Sequence, residues 1–114
     1  MALQIIPTEH IIKIVSIVLS GRLDAFDAPA LRKVCDEYIE AGVIHLVFNL
    51  ADVKMIDSAG LAVLISALKR TRLGGGDVRL VWPLEEAAVR ILKLTKFDQV
   101  FTSIEPSQII PKFF

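Results

Sequence analysis

Apolar residues along the chain follow two spacings, and these predict strands and helices in alternation. Short apolar runs predict strands at residues 4–6, 11–19, 43–50, 78–82 and 100–101. Apolar residues that recur every three or four positions predict helices between Asp27 and Gly42, from Asp57 to about Arg72, and over 84–94. Residues 107–110 can add one helical turn before Pro111. This order, β-β-α-β-α-β-α-β with a short terminal helix, predicts an α/β fold in which a mixed, largely parallel β-sheet is covered by α-helices.

Two of the predicted strands, at residues 11–19 and 43–50, are apolar almost without interruption. Such runs are typical of strands that are covered on both faces, so we expect both strands to lie in the middle of the sheet. Residues 20–24 predict a sharp turn that ends the first of them. Asp27 is expected to cap the helix that follows, with Pro29 near its first turn.

Residues 49–72 predict the end of a strand, a polar turn and a helix that opens on Asp57 and Ser58. Both side chains are good helix caps, since an oxygen can accept a hydrogen bond from a free backbone N–H group. The predicted inner face of this helix is apolar and consists of Leu61, Leu64, Ile65 and Leu68. The opposite face carries Ala59, Ala62 and Ser66, followed by Lys69. A helix face of small side chains, with a serine at the start of the helix, is suited to binding another protein.

Length, composition and charge limit the classes of protein to consider. The 114 residues fit one domain, residues 1–114, which can bury a core without disulfides or metal. No run of about 18 apolar residues can span a bilayer and no secretion signal begins the chain, so we expect a soluble, cytoplasmic protein. Thirteen basic and thirteen acidic residues cancel. We therefore expect neither nucleic acid nor a membrane as a direct partner.

No group of residues predicts catalysis, a cofactor or a metal site. Cys35 is interpreted as a core residue, His10 as a solvated loop residue and His45 as a hydrogen-bonded structural residue. A serine at a strand-to-helix turn also occurs in hydrolases. However, Ser58 has no Gly-x-Ser-x-Gly elbow, and neither histidine follows it in the chain. The glycines at 74–76 lack the lysine of a phosphate-binding loop and precede a strand, so nucleotide turnover is not expected.

Four motifs resemble the STAS domain family, and within it the bacterial anti-sigma factor antagonists of partner-switching pathways. The motifs are Gly21-Arg22-Leu23-Asp24, Leu46-Val47-Phe48-Asn49-Leu50, Asp57-Ser58-Ala59-Gly60-Leu61 and Phe97-Asp98-Gln99-Val100-Phe101. In that family, the serine directly after the aspartate is phosphorylated by the anti-sigma factor, which is a serine kinase, and a PP2C-type phosphatase reverses the reaction. The resemblance implies that Ser58 is the phosphorylated residue. It also implies that the unphosphorylated chain binds the kinase and thereby releases a sigma factor.

The resemblance further implies a binding surface for the anti-sigma factor at the helix start and at the turn before the first helix. The predicted surface residues are Asp24, Asp57, Ser58, Ala59, Gly60, Ala62 and Ser66. The chain departs from the family at Arg22, where glutamate is usual, and this inverts a charge at the rim of the surface. It also has Ala59 where a second Ser or Thr is common. Phe113-Phe114 adds apolar bulk that either caps the sheet or lies exposed.

Two other interpretations of the central helix follow from the same residues. Ser58 is either a helix cap only, or a cap and a phosphorylated residue together. Domains of the same family also occur in transporter-associated and signalling assemblies. The chain is therefore alternatively a structural subunit that docks through the same helix face and has no phosphorylation cycle.

Overall fold

The computed structural model describes residues 3–9 and 12–108. The strands are β1 (Ile14–Leu23), β2 (His45–Ile56), β3 (Asp77–Val81) and β4 (Thr102–Ser103). The helices are α1 (Ala28–Glu40), α2 (Ser58–Leu73), α3 (Glu86–Leu94) and the short α4 (Phe97–Val100), and a 3-10 turn follows at Pro106–Gln108. Neighbouring strands are parallel, in the order β1-β2-β3-β4. The predicted α/β fold class is confirmed, because strands alternate with helices along the chain.

The predicted strand at residues 4–6 is not formed. Residues 3–9 have no regular structure, and the side chains of Ile5 and Ile6 are 79% and 81% exposed. So short a segment can make few ladder hydrogen bonds, and Pro7 has no N–H group with which to extend them. The described part of the chain therefore contains four strands and not the five that were predicted.

The turn predicted at residues 20–24 is also wrong, because β1 continues through most of it. The pairing of β1 with β2 shifts register between Val18 and Ser20 and again between Gly21 and Arg22. Gly21 has a φ angle of +93°, a left-handed conformation that glycine adopts readily. The strand consequently bends near Gly21 without ending, and the chain leaves the sheet only at Asp24.

β1 lies at one edge of the sheet that the described residues form, so the prediction that it lies in the middle is wrong. The exposure of Val18 also contradicts the prediction that both faces of β1 are covered. Among those residues it pairs with β2 alone. Val15, Ile17 and Leu19 pack against the core, whereas Val18, which points to the other face, is 65% exposed. An apolar run therefore did not identify the position of this strand in the sheet.

β2 lies between β1 and β3, and it is covered on both faces as predicted. Leu46, Phe48 and Leu50 are fully buried in the main core together with residues of α1, α2 and α3. Val47 points the other way and is fully buried in a smaller core with Val81. The covering of both faces explains why this segment is apolar at successive positions.

β2 is also longer than predicted, because it continues through residues 51–56 where a polar turn was expected. Ile56, the last residue of β2, pairs with Leu23, the last residue of β1. Pairing with β1 thus keeps this segment extended, and Val53 and Ile56 are buried within it. As a result, β1 and β2 end side by side, and the loop after β1 lies next to the start of α2.

The chain after α3 differs from the prediction in its last strand. Lys96 has a φ angle of +61°, and α4 follows it directly. The backbone N–H of Phe101 donates to the carbonyl of Phe97 over 2.9 Å, so pairing with β3 begins at Thr102 and not at Val100. The predictions for His10, for residues 109–110 and for Phe113-Phe114 lie outside the described residues. No helix among the residues described is long and apolar enough to cross a membrane.

Candidate functional site

The start of α2 is built on the carboxylate of Asp57. Its Oδ1 accepts hydrogen bonds from the backbone N–H groups of Ala59 and Gly60, over 2.9 and 3.1 Å. Both groups would otherwise lack partners in the first turn of the helix. Asp57 is therefore the cap, and Ser58 is the first residue of the helix. Ser58 is thus not the cap that both interpretations of this residue assumed, and its phosphorylation stays a prediction.

The second oxygen of Asp57 joins the helix to the loop that follows β1. Oδ2 accepts a hydrogen bond from the backbone N–H of Ala25 over 2.9 Å, and the N–H of Asp57 donates to the carbonyl of Leu23 over 3.1 Å. The hydrogen bond from Gly60 is the main cause that holds the pKa of Asp57 below its ordinary value, and those from Ala25 and Ala59 add to it. Asp57 is consequently an anion at neutral pH that already accepts three hydrogen bonds.

The loop at residues 24–27 is held by the side chain of Asp24. Its Oδ1 accepts from the backbone N–H groups of Phe26 and Asp27 over 3.1 and 3.3 Å, and its carbonyl accepts from Ala28 over 2.8 Å. Asp27 occupies the N-cap position of α1 as predicted, but its side chain makes no capping hydrogen bond. The fixed loop presents the side chain of Phe26, which is 89% exposed.

The predicted binding residues on α2 are exposed or half-buried, with one exception. Ser58 and Ala62 are exposed, and Ala59 and Ser66 are half-buried. The hydroxyl of Ser58 forms no hydrogen bond with another described side chain or backbone group. Gly60 is buried instead, and a Cβ atom at this position would lie 2.7 Å from both the Cγ and the carbonyl oxygen of Leu23. Gly60 therefore faces the core, and its small size lets α2 approach β1.

The predicted inner face of α2 is confirmed. Leu61, Leu64 and Leu68 are buried in the main core, and Ile65 packs against it. Because this face is held by the core, the opposite face is presented to solvent in a fixed position.

An open groove separates part of α1 from the outer face of α2. It has a volume of about 570 Å³, and it is lined by Ala25, Ala28, Pro29, Arg32, Lys33, Asp36, Ala59, Ala62 and Val63. Asp36 forms an ion pair with Arg70 of α2. Sequence reasoning did not find the α1 side of this groove or Phe26. The helical spacing shows which residues share a face, but it does not show which helix packs beside which.

The remaining candidates from the sequence are Cys35, Arg22 and the possible metal ligands. Cys35 is buried, and desolvation raises the pKa of its thiol to about 11, which agrees with a core role. Arg22 lies on β1, where it contacts the sulfur of Met55 on β2 over 3.3 Å. Within residues 3–9 and 12–108, no three His, Cys, Asp or Glu side chains are grouped so that they could hold a metal ion.

Known proteins share part of the sequence and the fold of this chain. The family model described as "STAS domain" matches residues 6–109. The chain belongs to the STAS domain family. An anti-sigma-B factor antagonist of Bacillus subtilis is 31% identical to this STAS domain over 86 residues, which cover 75% of the chain and 77% of that relative.

Two solved structures show the same fold as this STAS domain. The crystal structure of a Thermotoga maritima protein, provisionally named an anti-sigma factor antagonist, is 31% identical, with a TM-score of 0.72 and coverage of 82% of each chain. The anti-sigma factor antagonist SpoIIAA in its unphosphorylated form is 18% identical, with a TM-score of 0.66, and covers 85% of this chain and 84% of its own. At 18% identity, the similarity to SpoIIAA shows a common fold and no more. The predicted resemblance to the family is thus confirmed.

Proposed function

We propose that this STAS domain is an anti-sigma factor antagonist of the cytoplasm that is switched by phosphorylation of Ser58. The unphosphorylated form binds an anti-sigma factor that is a serine kinase, and a sigma factor is released. Phosphorylation of Ser58 by that kinase ends the binding, and a PP2C-type phosphatase restores it. The observation that carries the proposal is the exposed side chain of Ser58 at the start of α2, whose hydroxyl forms no hydrogen bond with another described residue.

The surroundings of Ser58 support a switch that acts through charge. A phosphate adds about −1.5 to −2 charges at neutral pH. The adjacent Asp57 is already an anion, and it occupies the backbone N–H groups of Ala59 and Gly60. The phosphate therefore meets no free pair of N–H groups in the first turn, and it adds charge and bulk to a surface that a partner must dehydrate.

The binding surface in this proposal consists of Ser58, Ala59, Ala62 and Ser66 on α2, together with the loop that Asp24 and Asp57 hold in place. The carboxylates of Asp24 and Asp57 support the surface, because both accept hydrogen bonds from the backbone. Gly60 contributes by its close contact with Leu23 below the surface.

The proposal is tested by mixing the purified protein with each serine-kinase-type anti-sigma factor of its source organism. Binding is measured first without nucleotide, then ATP and Mg²⁺ are added and the modified residue is located by mass spectrometry. We expect one kinase to bind and to phosphorylate Ser58. The Ser58→Ala variant serves as the control, and it should bind this kinase without being modified.

Two results would contradict the proposal. Phosphate on Ser66, Ser103 or Ser107 in place of Ser58 would exclude the proposed switch site. Binding to none of these kinases would reject the role as a kinase-regulated antagonist and would favour the structural subunit.

A further inference from the structure

The groove between α1 and α2 has more positive charge than the molecule as a whole. The chain carries 13 basic and 13 acidic residues, whereas the groove is lined by the cations Arg32 and Lys33 and by the anion Asp36. The carboxylate of Asp36 is already paired with Arg70 of α2. Arg32 and Lys33 are exposed, and neither forms a salt bridge with another described residue. Two cations on one wall are thus available to a ligand.

The rest of the groove is apolar and continuous with the surface around Ser58. Ala25, Ala28, Ala59 and Ala62 contribute methyl groups and no hydrogen-bonding side chains, and Val63 is buried beneath them. Ala59 follows Ser58 directly, so a ligand in the groove also contacts the start of α2. A ligand that fits this groove has one apolar face and carboxylates along one side.

The walls of the groove favour a helix over a peptide that adds a strand to the sheet. Such a peptide pairs its backbone with an exposed strand edge, whereas the described lining of the groove belongs to α1, α2 and the loop residue Ala25. A helix needs no backbone partner. Its side chains can pack between those of two neighbouring helices, and small residues allow its axis to approach closely.

We infer that the groove between α1 and α2 binds an acidic, amphipathic helix of the anti-sigma factor, and that Arg32 and Lys33 pair with carboxylates on that helix. The inference rests on the proposed function and identifies the partner element and its chemistry. Because Arg32 and Lys33 lie on α1, partner choice is determined on a different helix from the one that carries Ser58.

The inference is tested with the anti-sigma factor that binds the wild-type protein in the kinase experiment. The double variant Arg32→Glu/Lys33→Glu should bind this kinase at least about tenfold more weakly than the wild type. The matched control, Lys13→Glu/Lys93→Glu, makes the same change in net charge at two exposed lysines outside the groove, and it should retain wild-type affinity. Amide spectra of both double variants verify that each is folded.

The dependence of the binding affinity on salt concentration provides a second measurement. The wild type and the variant Arg32→Glu/Lys33→Glu should respond to salt in opposite directions. Added salt screens attraction in the wild type, so its affinity should fall, whereas it screens repulsion in Arg32→Glu/Lys33→Glu, so the affinity of this variant should rise. Replacing acidic residues of the partner helix by lysine should restore binding to the same variant. In the wild type, amide signals of α1 and α2 should shift on binding, and those of α3 should not.

The other outcomes distinguish failure of the proposed function from failure of the inference. If the wild type binds no such kinase, both the proposed function and the inference fail. If the kinase binds and Arg32→Glu/Lys33→Glu behaves like its control, the function stands and the inference is wrong. Amide shifts centred on α3 or on the outer edge of β1 would also overturn it, as would self-association of the protein through the groove.

Discussion

At the scale of single residues, the carboxylate of Asp57 determines the geometry of the site. It joins the first turn of α2 to a loop 32 residues earlier in the chain. Its neighbour Ser58 can therefore be modified without removing the cap. The sequence motif predicted both residues, but it did not distinguish Asp57, whose carboxylate holds the site together, from Ser58, whose side chain is exposed.

The first prediction concerns the effect of pH on folding through Asp57. Its backbone hydrogen bonds lower the pKa in the folded state, so the unfolded chain binds the proton more readily. The stabilisation is fully present above the ordinary pKa of 3.8, and it is lost as the pH falls through the folded-state pKa. Urea unfolding of the wild type and Asp57→Asn at a series of pH values measures this. The difference in midpoint should be largest at neutral pH and shrink in acid, and a constant difference would contradict it.

The second prediction concerns Ser58→Asp as a mimic of the phosphorylated form. The variant should lose at least about tenfold in affinity for the anti-sigma factor, or roughly 1.4 kcal/mol, because a second anion lies beside Asp57. Its amide spectrum should match that of the wild type beyond the first turn of α2. Widespread shifts across β1 and β2 would instead show a conformational switch.

The third prediction concerns Phe26, an aromatic side chain that is 89% exposed on a loop fixed by Asp24 and Asp57. Exposed aromatic residues on rigid supports are typical anchors of protein interfaces, since little conformational entropy is lost on binding. Phe26→Ala should weaken binding to the anti-sigma factor by about 2 kcal/mol or more. Leu84→Ala is the control, because Leu84 is 83% exposed on another loop. Equal affinities of both variants would place the anchor elsewhere.

At the scale of elements, α2 was predicted well because its two faces depend on local spacing. Leu61, Leu64 and Leu68 are buried, and Ala62 is exposed. Gly60 was assigned to the partner surface from its place in the motif, but it lies against Leu23 of β1. A contact between segments this far apart in the chain cannot be deduced from helical spacing.

The fourth prediction concerns the contact between α2 and β1. Alanine in place of glycine in a helix usually stabilises by roughly 0.5–1 kcal/mol. At Gly60, however, the new methyl group meets the carbonyl oxygen of Leu23 at 2.7 Å, so Gly60→Ala should destabilise the fold by roughly 1–3 kcal/mol. At Gly74 the closest contact is the side-chain methyl of Ile44, which can move, so Gly74→Ala should cost less. Thermal unfolding measures the stability of the two variants. If Gly60→Ala lost no more stability than Gly74→Ala, this prediction would be wrong.

At the scale of the whole molecule, the sequence predicted the kinds of element better than their positions in the sheet. β2 is central and β1 lies at an edge, although both consist mainly of apolar residues. The order of strands depends on how helices pack across the sheet, and no single segment contains that information. The length of β2 depends likewise on its pairing with β1 up to Ile56. The groove between α1 and α2 is a further product of this packing.

The order of the strands across the sheet repeats their order along the chain. During synthesis, each strand from β2 onwards can therefore join a neighbour that has already left the ribosome, and no strand has to be inserted between two others. The parallel pairings nevertheless join residues far apart in the chain, such as Ile14 with His45 and Arg79 with Thr102, and strand pairing over such separations is slow. β1 emerges first, and no later strand among the described residues covers its outer edge. A nascent chain thus exposes this edge from the start, and on a crowded polysome it is the place where neighbouring chains can pair wrongly.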